Sequence, residues 1–244
     1  MLALITGGTS GIGLDIAKIL DSKGYELIIV GSRSEFDTSS FLKAKYIQCD
    51  LTDEDEFNSF LMQLKDFDLD VFIDNAGFGD IGTFDKTSDE KESLMIDLNI
   101  KAMHFLLKEV LKKMKEKNRG YVLVTSSLAA YATSGYMATY YATKAYSYSL
   151  ALGYRRELKD LKSKVKLSVL CPGPTKTEFE KTANVKFLIK PAKSFKVAKV
   201  AVKKMFKGKG IIIPSVRFKV YAFLGKISPT LFANRVISKS ARKR

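Results

Sequence analysis

The chain has 244 residues, of which 46% are hydrophobic and 27% charged, an ordinary composition for one soluble globular domain. It contains no apolar run near the roughly 20 residues of a membrane-spanning helix and no secretory signal, and its two cysteines predict neither a disulfide framework nor a metal site. We therefore expect a cytoplasmic protein, with a net charge of +15 that still needs an explanation.

Short apolar runs alternate with amphipathic stretches along the chain. The apolar runs predict buried strands at 2–6, 27–30, 45–48, 70–73, 121–125, 166–170 and 210–213. Helical spacing predicts helices at about 12–23, 53–65, 88–117, 141–161 and 195–206. This alternation predicts an α/β fold, a doubly wound Rossmann-type parallel sheet with helices on both faces. We expect one catalytic domain at 1–213, with 214–244 as its C-terminal extension.

A glycine-rich turn lies between the first predicted strand and the first predicted helix. Gly7 permits a tight turn, Gly11 leaves room for the backbone to approach a pyrophosphate, and Gly13 allows close packing of helix on strand. The free N–H groups at the start of the helix favour an anion. The residues expected to bind a dinucleotide here are Gly7, Thr9, Ser10, Gly11, Ile12 and Gly13.

The end of the second predicted strand bears on which dinucleotide binds. A carboxylate at this place would bind the ribose 2′-hydroxyl of NAD and repel a 2′-phosphate. The sequence has Ser32 and Arg33 instead, a hydroxyl and a guanidinium that suit the 2′-phosphate of NADP, although Glu35 lies nearby. We favour NADP(H) over NAD(H). The alternative for Arg33 is a solvated loop arginine.

Two further strand ends supply candidate cofactor residues. Asp50 and Leu51 follow the third strand, where the Asp50 carboxylate is placed to accept from the adenine amino group. The alternative is that Asp50 caps the following helix, a role that Thr52 or Asp53 would serve equally. After the fourth strand, Asn75-Ala76-Gly77 offers small residues that let the backbone pass close to the cofactor.

The chemical half of the sequence is a tyrosine and a lysine four residues apart. Tyr140 and Lys144 share one face of any helix that extends through both. An ammonium group beside a phenol favours the phenolate, by about 1.4 kcal/mol per unit of pKa shift. Ser127, thirteen residues before the tyrosine, is placed to hydrogen-bond a substrate oxygen. Asn99 lies among apolar neighbours, where it is expected to hold water or satisfy freed backbone.

Several neighbouring residues compete for these roles. Tyr136 and Tyr141 flank Tyr140 but lack the lysine at i+4, and Ser126 has the poorer spacing. His104, the single histidine, falls in a helix among apolar residues, where a structural side chain is expected rather than a catalytic one.

These motifs, with Asp74–Gly77 and Pro172–Thr177, resemble the short-chain dehydrogenase/reductase family over about residues 2–180. The resemblance implies an Asn-Ser-Tyr-Lys tetrad: Asn99 for a water relay, Ser127 for substrate positioning, and Tyr140 as general acid/base. Lys144 would lower the pKa of the tyrosine and contact the nicotinamide ribose. Asp74 departs from the pattern, since many members have Asn there.

The resemblance also implies a nicotinamide contact after the sixth strand and a substrate lid beyond it. The cofactor residues implied there are Pro172, Gly173, Thr175 and Thr177. The lid would run over about 178–193, and residues 134–138 would form the opposite wall, with Tyr136 and Met137 reaching inward. The apolar content of these walls favours a lipophilic carbonyl substrate.

The C-terminal part carries the excess of positive charge. Of the 41 Lys and Arg residues, 18 follow Glu180, whereas none of the 26 acidic residues does, which leaves −3 on residues 1–180. From Pro214 onwards the pattern predicts a pair of amphipathic basic helices. They would lie on anionic lipid, cover a partner subunit, or dock on their own domain. A solvated basic face without a partner is the remaining alternative.

The sequence therefore predicts an NADP(H)-dependent oxidoreductase that interconverts a carbonyl and a secondary alcohol, acting as a reductase on a lipophilic substrate. The main alternative within the enzyme class is a 3-oxoacyl or other lipid or steroid ketoreductase, for which an acidic carrier protein is a natural partner. The alternative from another class is a non-catalytic NADP-binding sensor or membrane-surface protein. The resemblance implies a homodimer or homotetramer, and we expect no nucleic acid partner and no metal.

Overall fold

The computed structural model describes residues 1–183 and 190–227. Its centre is a seven-stranded sheet in the order β3-β2-β1-β4-β5-β6-β9, in which every neighbouring pair is parallel. The strands of this sheet are β1 (Leu2–Thr6), β2 (Glu26–Gly31), β3 (Ala44–Gln48), β4 (Val71–Asp74), β5 (Tyr121–Thr125), β6 (Lys166–Leu170) and β9 (Ile211–Ile212). A separate parallel pair consists of β7 (Thr175–Lys176) and β8 (Ala192–Lys193).

Helices cover both faces of the sheet. They are α1 (Gly11–Asp21), α2 (Glu54–Leu64), α3 (Asp89–Ile96), α4 (Met103–Glu116), α5 (Ala138–Asp160), α6 (Phe179–Thr182), α7 (Ser194–Phe206) and α8 (Val216–Ile227). One buried cluster packs Phe72 of β4 against Leu106 and Leu111 of α4. The other packs Ile5 of β1 against Ile16 of α1 and Met205 of α7. Because both faces are covered, the central strands are apolar on both sides.

The strand order places a crevice at the carboxyl edge of the sheet. The chain runs from β1 outward to β3, then returns to add β4 on the other side of β1. The loops that follow β1 and β4 therefore diverge, and ligands of such sheets bind where this reversal occurs. The predicted fold class and all seven predicted strands of this sheet are confirmed, and no strand end differs by more than one residue.

The helices differ from the prediction in two places. The single helix expected over 88–117 is divided by a π-helical segment at Asp97–Ala102, which carries Asn99. The helix expected from Tyr141 begins earlier, as α5 at Ala138. The Thr139 hydroxyl donates to Glu92 Oε1 of α3 at 2.9 Å, a tertiary contact that stabilises the first turn and that local sequence does not encode.

The C-terminal extension begins with a helix that docks on the domain. Phe218 and Ala222 of α8 are buried, whereas Val216 and Val220 are exposed. The second helix of the predicted pair falls on 228–244, outside the described residues. None of the described helices has the length and apolar content needed to cross a bilayer.

Candidate active site

A cavity of about 560 Å³ opens at the carboxyl edge of the sheet, beside the reversal of strand order. It brings together most of the residues singled out by their motifs. The predicted residues that line it are Gly7, Ser10, Gly11, Ile12, Asn75, Ala76, Gly77, Ser127, Tyr140, Lys144, Pro172, Gly173, Thr175 and Thr177.

The glycine turn is shaped by contacts that exclude side chains. Gly7 and Gly11 have φ of +60° and +54°, in the left-handed region that glycine tolerates. A Cβ at Gly13 would lie 2.2 Å from the Gly7 carbonyl oxygen, and a Cβ at Gly7 would lie 2.9 Å from Ala76 Cα. The turn therefore packs directly on the chain that follows β4.

Hydrogen bonds fix the strand ends beneath the cavity. The Thr6 hydroxyl accepts from the backbone N–H groups of Asn75 and Ala76 at 3.0 and 3.1 Å. The Asn75 amide donates to the Gly7 carbonyl at 3.1 Å and accepts from the Thr125 hydroxyl at 3.3 Å. β1, β4 and β5 are thus held in register at the edge where the cavity opens.

Tyr140 and Lys144 lie on α5 and face the same cavity. Lys144 Nζ is 5.9 Å from the centroid of the Tyr140 ring. Burial raises the pKa of Tyr140 to about 12, and a hydrogen bond with Ser127 opposes that rise. Lys144 is not among the groups that shift this pKa in the described chain, so its expected lowering of the Tyr140 pKa stays a prediction. The phenol is protonated at neutral pH and can act as an acid.

Lys144 is buried, and its charge is opposed by that burial. Its Nζ donates to the Thr125 carbonyl at 3.3 Å. Burial lowers the pKa of Lys144 to about 8, while the nearby carboxylate of Asp74 raises it. The ammonium form still predominates at neutral pH.

Asp74, the departure from the family pattern, is a buried carboxyl group below the lysine. Its Oδ1 accepts from the Thr6 hydroxyl at 3.1 Å, and its Oδ2 has no hydrogen-bond partner among the described residues. Burial raises the pKa of Asp74 to about 6, although Thr6 and Lys144 both lower it. Half-satisfied burial of this kind is costly when the carboxyl group is ionised.

Asn99 uses both of its amide N–H groups and one lone pair of its oxygen on neighbouring groups. Its amide nitrogen donates to the Phe78 carbonyl at 2.8 Å and to the Thr143 hydroxyl at 3.1 Å, and its oxygen accepts from the Phe78 N–H at 3.1 Å. A Cβ at Gly77 would lie 2.7 Å from Asn99 Oδ1 and 3.1 Å from Lys144 Nζ. Asn99 and Lys144 therefore flank one point at the cavity wall.

The competing residues have structural partners. The Ser126 hydroxyl is buried and donates to the Lys144 carbonyl at 2.7 Å. His104 Nδ1 of α4 pairs with the Tyr146 hydroxyl of α5 at 2.7 Å, and neither residue lines the cavity. Tyr141 does line the cavity, whereas Tyr136 does not and adopts φ of +64°. Tyr136, which was also expected to reach inward, does not line the cavity, whereas Met137 does.

The residues predicted for the adenosine end lie beyond the cavity lining. They are Ser32, Arg33, Asp50 and Leu51, and Thr9 and Gly13 of the glycine turn also do not line the cavity. Asp50 Oδ1 accepts from the Thr52 hydroxyl at 2.7 Å, and Asp53 is the residue that caps α2. Arg33 forms an ion pair of 2.7 Å with Glu178.

The described part of the lid covers the tyrosine. The Phe179 ring lies 5.4 Å from the Tyr140 ring, centroid to centroid, and a Cβ at Gly79 would lie 2.9 Å from both rings. Thr177 packs against Gly11, where a Cβ would lie 2.9 Å from its methyl group. The predicted lid residues 184–189 lie outside the described residues.

Two cavity residues come from an element that the sequence pattern assigned to an amphipathic tail. Phe218 and Tyr221 of α8 line the cavity, and the Phe218 ring lies so close to Gly173 that a Cβ there would be 2.5 Å away. In the sequence only Gly173, which leaves room for a neighbouring side chain, hints at this contact. The pattern of apolar residues in α8 does not indicate which surface the helix packs against.

The arrangement fits a nicotinamide dinucleotide. The glycine turn and Asn75–Gly77 present bare backbone to the cavity, which leaves room for phosphates beside the start of α1. At the other end, Tyr140 places a protonated phenol near a cation and a hydroxyl. The cavity can therefore hold a cofactor and transfer a proton to a substrate in one enclosure.

Comparison with known families gives one match that covers most of the chain. Residues 1–186 match the family model described as short chain dehydrogenase. A 3-oxoacyl-[acyl-carrier-protein] reductase of Rickettsia prowazekii is 35% identical over 147 residues, which are 59% of this chain and 60% of that protein. The chain thus spans about three fifths of the length of this relative.

Solved structures share the fold at low identity. A short-chain dehydrogenase from Sphingobium yanoikuyae in complex with NADPH has a TM-score of 0.82 at 24% identity, covering 90% of this chain and 91% of that one. A short-chain dehydrogenase/reductase from Burkholderia phymatum in complex with NAD has a TM-score of 0.79 at 17% identity, covering 91% and 92%.

Proposed function

Because this chain belongs to the short-chain dehydrogenase family, we propose that it is an NADP(H)-dependent oxidoreductase that interconverts a carbonyl and a secondary alcohol. The observation that carries the proposal is the meeting of Tyr140, Ser127 and Lys144 with the glycine turn in one cavity. The family and the fold supply the nicotinamide chemistry, and these side chains supply the proton.

The proposed reaction divides the work among the chain's own residues. A nicotinamide dinucleotide held by the glycine turn and Asn75–Gly77 would supply the hydride for the carbonyl carbon. Ser127 donates a hydrogen bond to the carbonyl oxygen and holds it beside the Tyr140 hydroxyl. Tyr140 gives its proton to that oxygen as negative charge develops there. The Lys144 ammonium stabilises the resulting phenolate.

The protonated state of Tyr140 fits the reductive direction, in which the tyrosine gives up a proton. The phenol of Tyr140 is protonated throughout the neutral range, so it is ready to act as an acid but not as a base. After each turnover Tyr140 must regain its proton, and we propose that Asn99 helps to supply it. A water molecule that donates to Asn99 Oδ1 and accepts from Lys144 Nζ would connect the lysine to solvent.

The preference for NADP(H) is supported by the residues after β2. Ser32 and Arg33 occupy the place where a carboxylate would select NAD, and both are exposed. A structural neighbour binds NADPH, although another binds NAD. Glu178 already engages the Arg33 guanidinium, and this pair is considered further below.

The walls of the cavity support a lipophilic carbonyl substrate. The apolar side chains that line it beside Tyr140 come from four separate segments of the chain: Ile81, Met137, Phe179 and Phe218. A pocket with a few polar groups at one end and apolar walls elsewhere selects an apolar substrate with one polar reacting group.

A second candidate within the same chemistry is a 3-oxoacyl thioester reductase. The relative from Rickettsia prowazekii carries that activity in its name. The exposed lysines of α7, including Lys196, Lys199 and Lys203, offer a cationic surface for an acidic carrier protein. Contact of the same surface with anionic lipid is the competing proposal. We also propose a homo-oligomer, as is common in the family.

The decisive experiment is NADPH oxidation by the purified protein across ketones, free 3-oxoacyl thioesters, steroids and sugars. We expect the protein to reduce apolar carbonyls, and to do so faster with NADPH than with NADH. Tight NADPH binding without turnover of any substrate class would instead favour a non-catalytic NADP-binding sensor.

A further inference from the structure

An ion pair joins the two sides of the cavity mouth. Arg33 Nη2 lies 2.7 Å from Glu178 Oε2, although the two residues are 145 positions apart in the chain. Arg33 follows β2, on the side of the glycine turn, whereas Glu178 follows β7, on the side of the lid. The pair therefore links the segment after β2 to the lid, at the end of the cleft where we expect the adenosine.

The backbone on both sides is held in place. The Tyr46 hydroxyl lies 2.8 and 2.6 Å from the carbonyl oxygens of Gly31 and Arg33. Thr177, the residue before Glu178, packs against Gly11 of the glycine turn. Because both main chains are anchored, the Glu178 carboxylate stays within reach of Arg33 whichever anion the guanidinium binds.

The pair itself is exchangeable. The side chains of Arg33 and Glu178 are 48% and 58% exposed, and exposed ion pairs contribute only about 0–1 kcal/mol. A guanidinium binds phosphate as readily as carboxylate, through the same N–H groups. A dianionic phosphate can therefore displace the Glu178 carboxylate from Arg33. The bound phosphate then lies close to that carboxylate and is repelled by it.

We propose that Glu178 is a specificity-determining residue, which weakens the binding of a 2′-phosphate by competing with it for Arg33. The inference rests on the proposed NADP(H) function and adds a residue that acts against it. Glu178 would leave affinity for the diphosphate part of the cofactor unchanged and reduce the discrimination that Arg33 provides between NADP and NAD.

The test uses two fragments that differ in the position of one phosphate. The full-length wild-type protein, Glu178→Gln and Glu180→Gln would be titrated with 2′,5′-ADP and with 5′-ADP by calorimetry. Glu180→Gln is the matched control, since it removes the same charge two residues away and has no described contact with Arg33. This readout does not depend on turnover.

We expect Glu178→Gln to bind 2′,5′-ADP about fivefold more tightly than wild type, the upper range for an exposed ion pair. Its affinity for 5′-ADP and the affinities of Glu180→Gln should match wild type. The gain should shrink as salt rises, because exposed charges are screened. In an Arg33→Gln background, Glu178→Gln should give a smaller gain, since the contested guanidinium is gone.

The outcomes separate this inference from the proposed function. If wild type prefers 2′,5′-ADP and Glu178→Gln leaves that preference unchanged, the inference is overturned while the NADP preference stands. If neither protein prefers 2′,5′-ADP, both are overturned. If the preference emerges only in Glu178→Gln, the inference is supported and the assignment of NADP(H) as the natural cofactor is overturned.

Discussion

Burial acts in opposite directions on the ionisable side chains of the cavity. It raises the pKa of Tyr140 and of Asp74, and it lowers the pKa of Lys144, because in each case it disfavours the charged form. The tyrosine is thereby kept protonated, and the carboxylate of Asp74 partly offsets the effect of burial on the lysine. The chemistry of the cavity depends on this balance between burial and two neighbouring charges.

The first prediction concerns the proposed acid. Replacing Tyr140 by Phe should lower kcat/KM for carbonyl reduction by about 10²- to 10⁴-fold, the usual contribution of a positioned acid. The dissociation constant for NADPH should change little, because the aromatic ring remains in the cavity wall. Steady-state kinetics and cofactor fluorescence would measure both quantities. Tyr146→Phe makes the same chemical change on α5 beside His104, outside the cavity, and should leave kcat/KM near wild type.

The second prediction concerns the buried carboxyl group. The folded-state pKa of Asp74 lies above the unfolded value of 3.8 because burial disfavours its ionised form, so folding becomes less favourable as pH rises from about 4 to about 6. Asp74→Asn removes that cost, and should raise the free energy of unfolding at pH 7 by up to about 3 kcal/mol.

Urea unfolding of both proteins between pH 4 and pH 7 would measure this effect. The gain should decrease steadily below about pH 6, where Asp74 in the wild type takes up its proton. A gain of equal size at every pH would show that the carboxylate charge is not its source. The pKa of Lys144 should also fall further in Asp74→Asn, because Asp74 no longer raises it.

The sequence predicted which residues meet in the cavity better than it predicted their protonation and their ion pairs. The spacing of Ser127, Tyr140 and Lys144 was sufficient to bring them together, because α5 and β5 are regular elements. The direction of the Tyr140 pKa shift was not, because it depends on the depth of the side chain under Phe179. The pairing of Arg33 with Glu178 was equally hidden, since it joins residues from distant parts of the chain.

Among the elements, the glycine turn requires a glycine at Gly13, whereas helix α5 would be more stable with another residue at Gly153. Gly13 lies where any Cβ would meet the Gly7 carbonyl oxygen at 2.2 Å, whereas Gly153 is an exposed interior residue of α5 with nothing within 4 Å of a Cβ. The same substitution should therefore have opposite effects at the two positions.

The third prediction follows from this contrast. Gly153→Ala should stabilise the protein by about 0.5–1 kcal/mol, the helix-propensity difference between the two residues. Gly13→Ala should destabilise it and abolish binding of 5′-ADP, because the turn must open to admit the methyl group. Thermal unfolding with and without 5′-ADP would test both. Retention of binding in Gly13→Ala would contradict the tight packing of the turn.

Regular elements were predictable and their irregular joints were not. The central strands follow from apolar runs that carry enough β-branched residues for two buried faces, as in Leu27–Val30. The π-helical segment at Asp97–Ala102 has no such local signature, because the partners of its Asn99 come from Phe78 and Thr143. The role of α8 at the cavity was likewise set by what it packs against.

At the scale of the whole molecule, charge is separated along the chain. All 18 cationic residues after Glu180 lack an acidic counterpart in that segment. Burial and repulsion from Lys219 and Lys209 together lower the pKa of Lys204, which shows that the end of α7 and the start of α8 form one cationic cluster. An acidic macromolecule would be attracted to this side of the cavity.

The fourth prediction tests that attraction. KM for a 3-oxoacyl group carried on an acyl carrier protein should rise as salt increases from about 0.05 M to about 0.5 M, because the Debye length falls severalfold. KM for the same acyl group on a short uncharged thioester should not. A variant with Lys199→Gln and Lys203→Gln should weaken only the carrier-bound substrate. Equal salt dependence for both substrates would reject the carrier as partner.

The two thiols of the chain are enclosed directly after β3 and β6, which lie in opposite halves of the sheet. Cys49 and Cys171 are both buried and unbridged, and burial raises the pKa of the Cys49 thiol to about 12. Alkylating reagents attack the thiolate, so the native molecule should be inert to them. The rate of maleimide labelling would then measure how often local opening of the sheet exposes these native cysteines, and no cysteine needs to be introduced for the measurement.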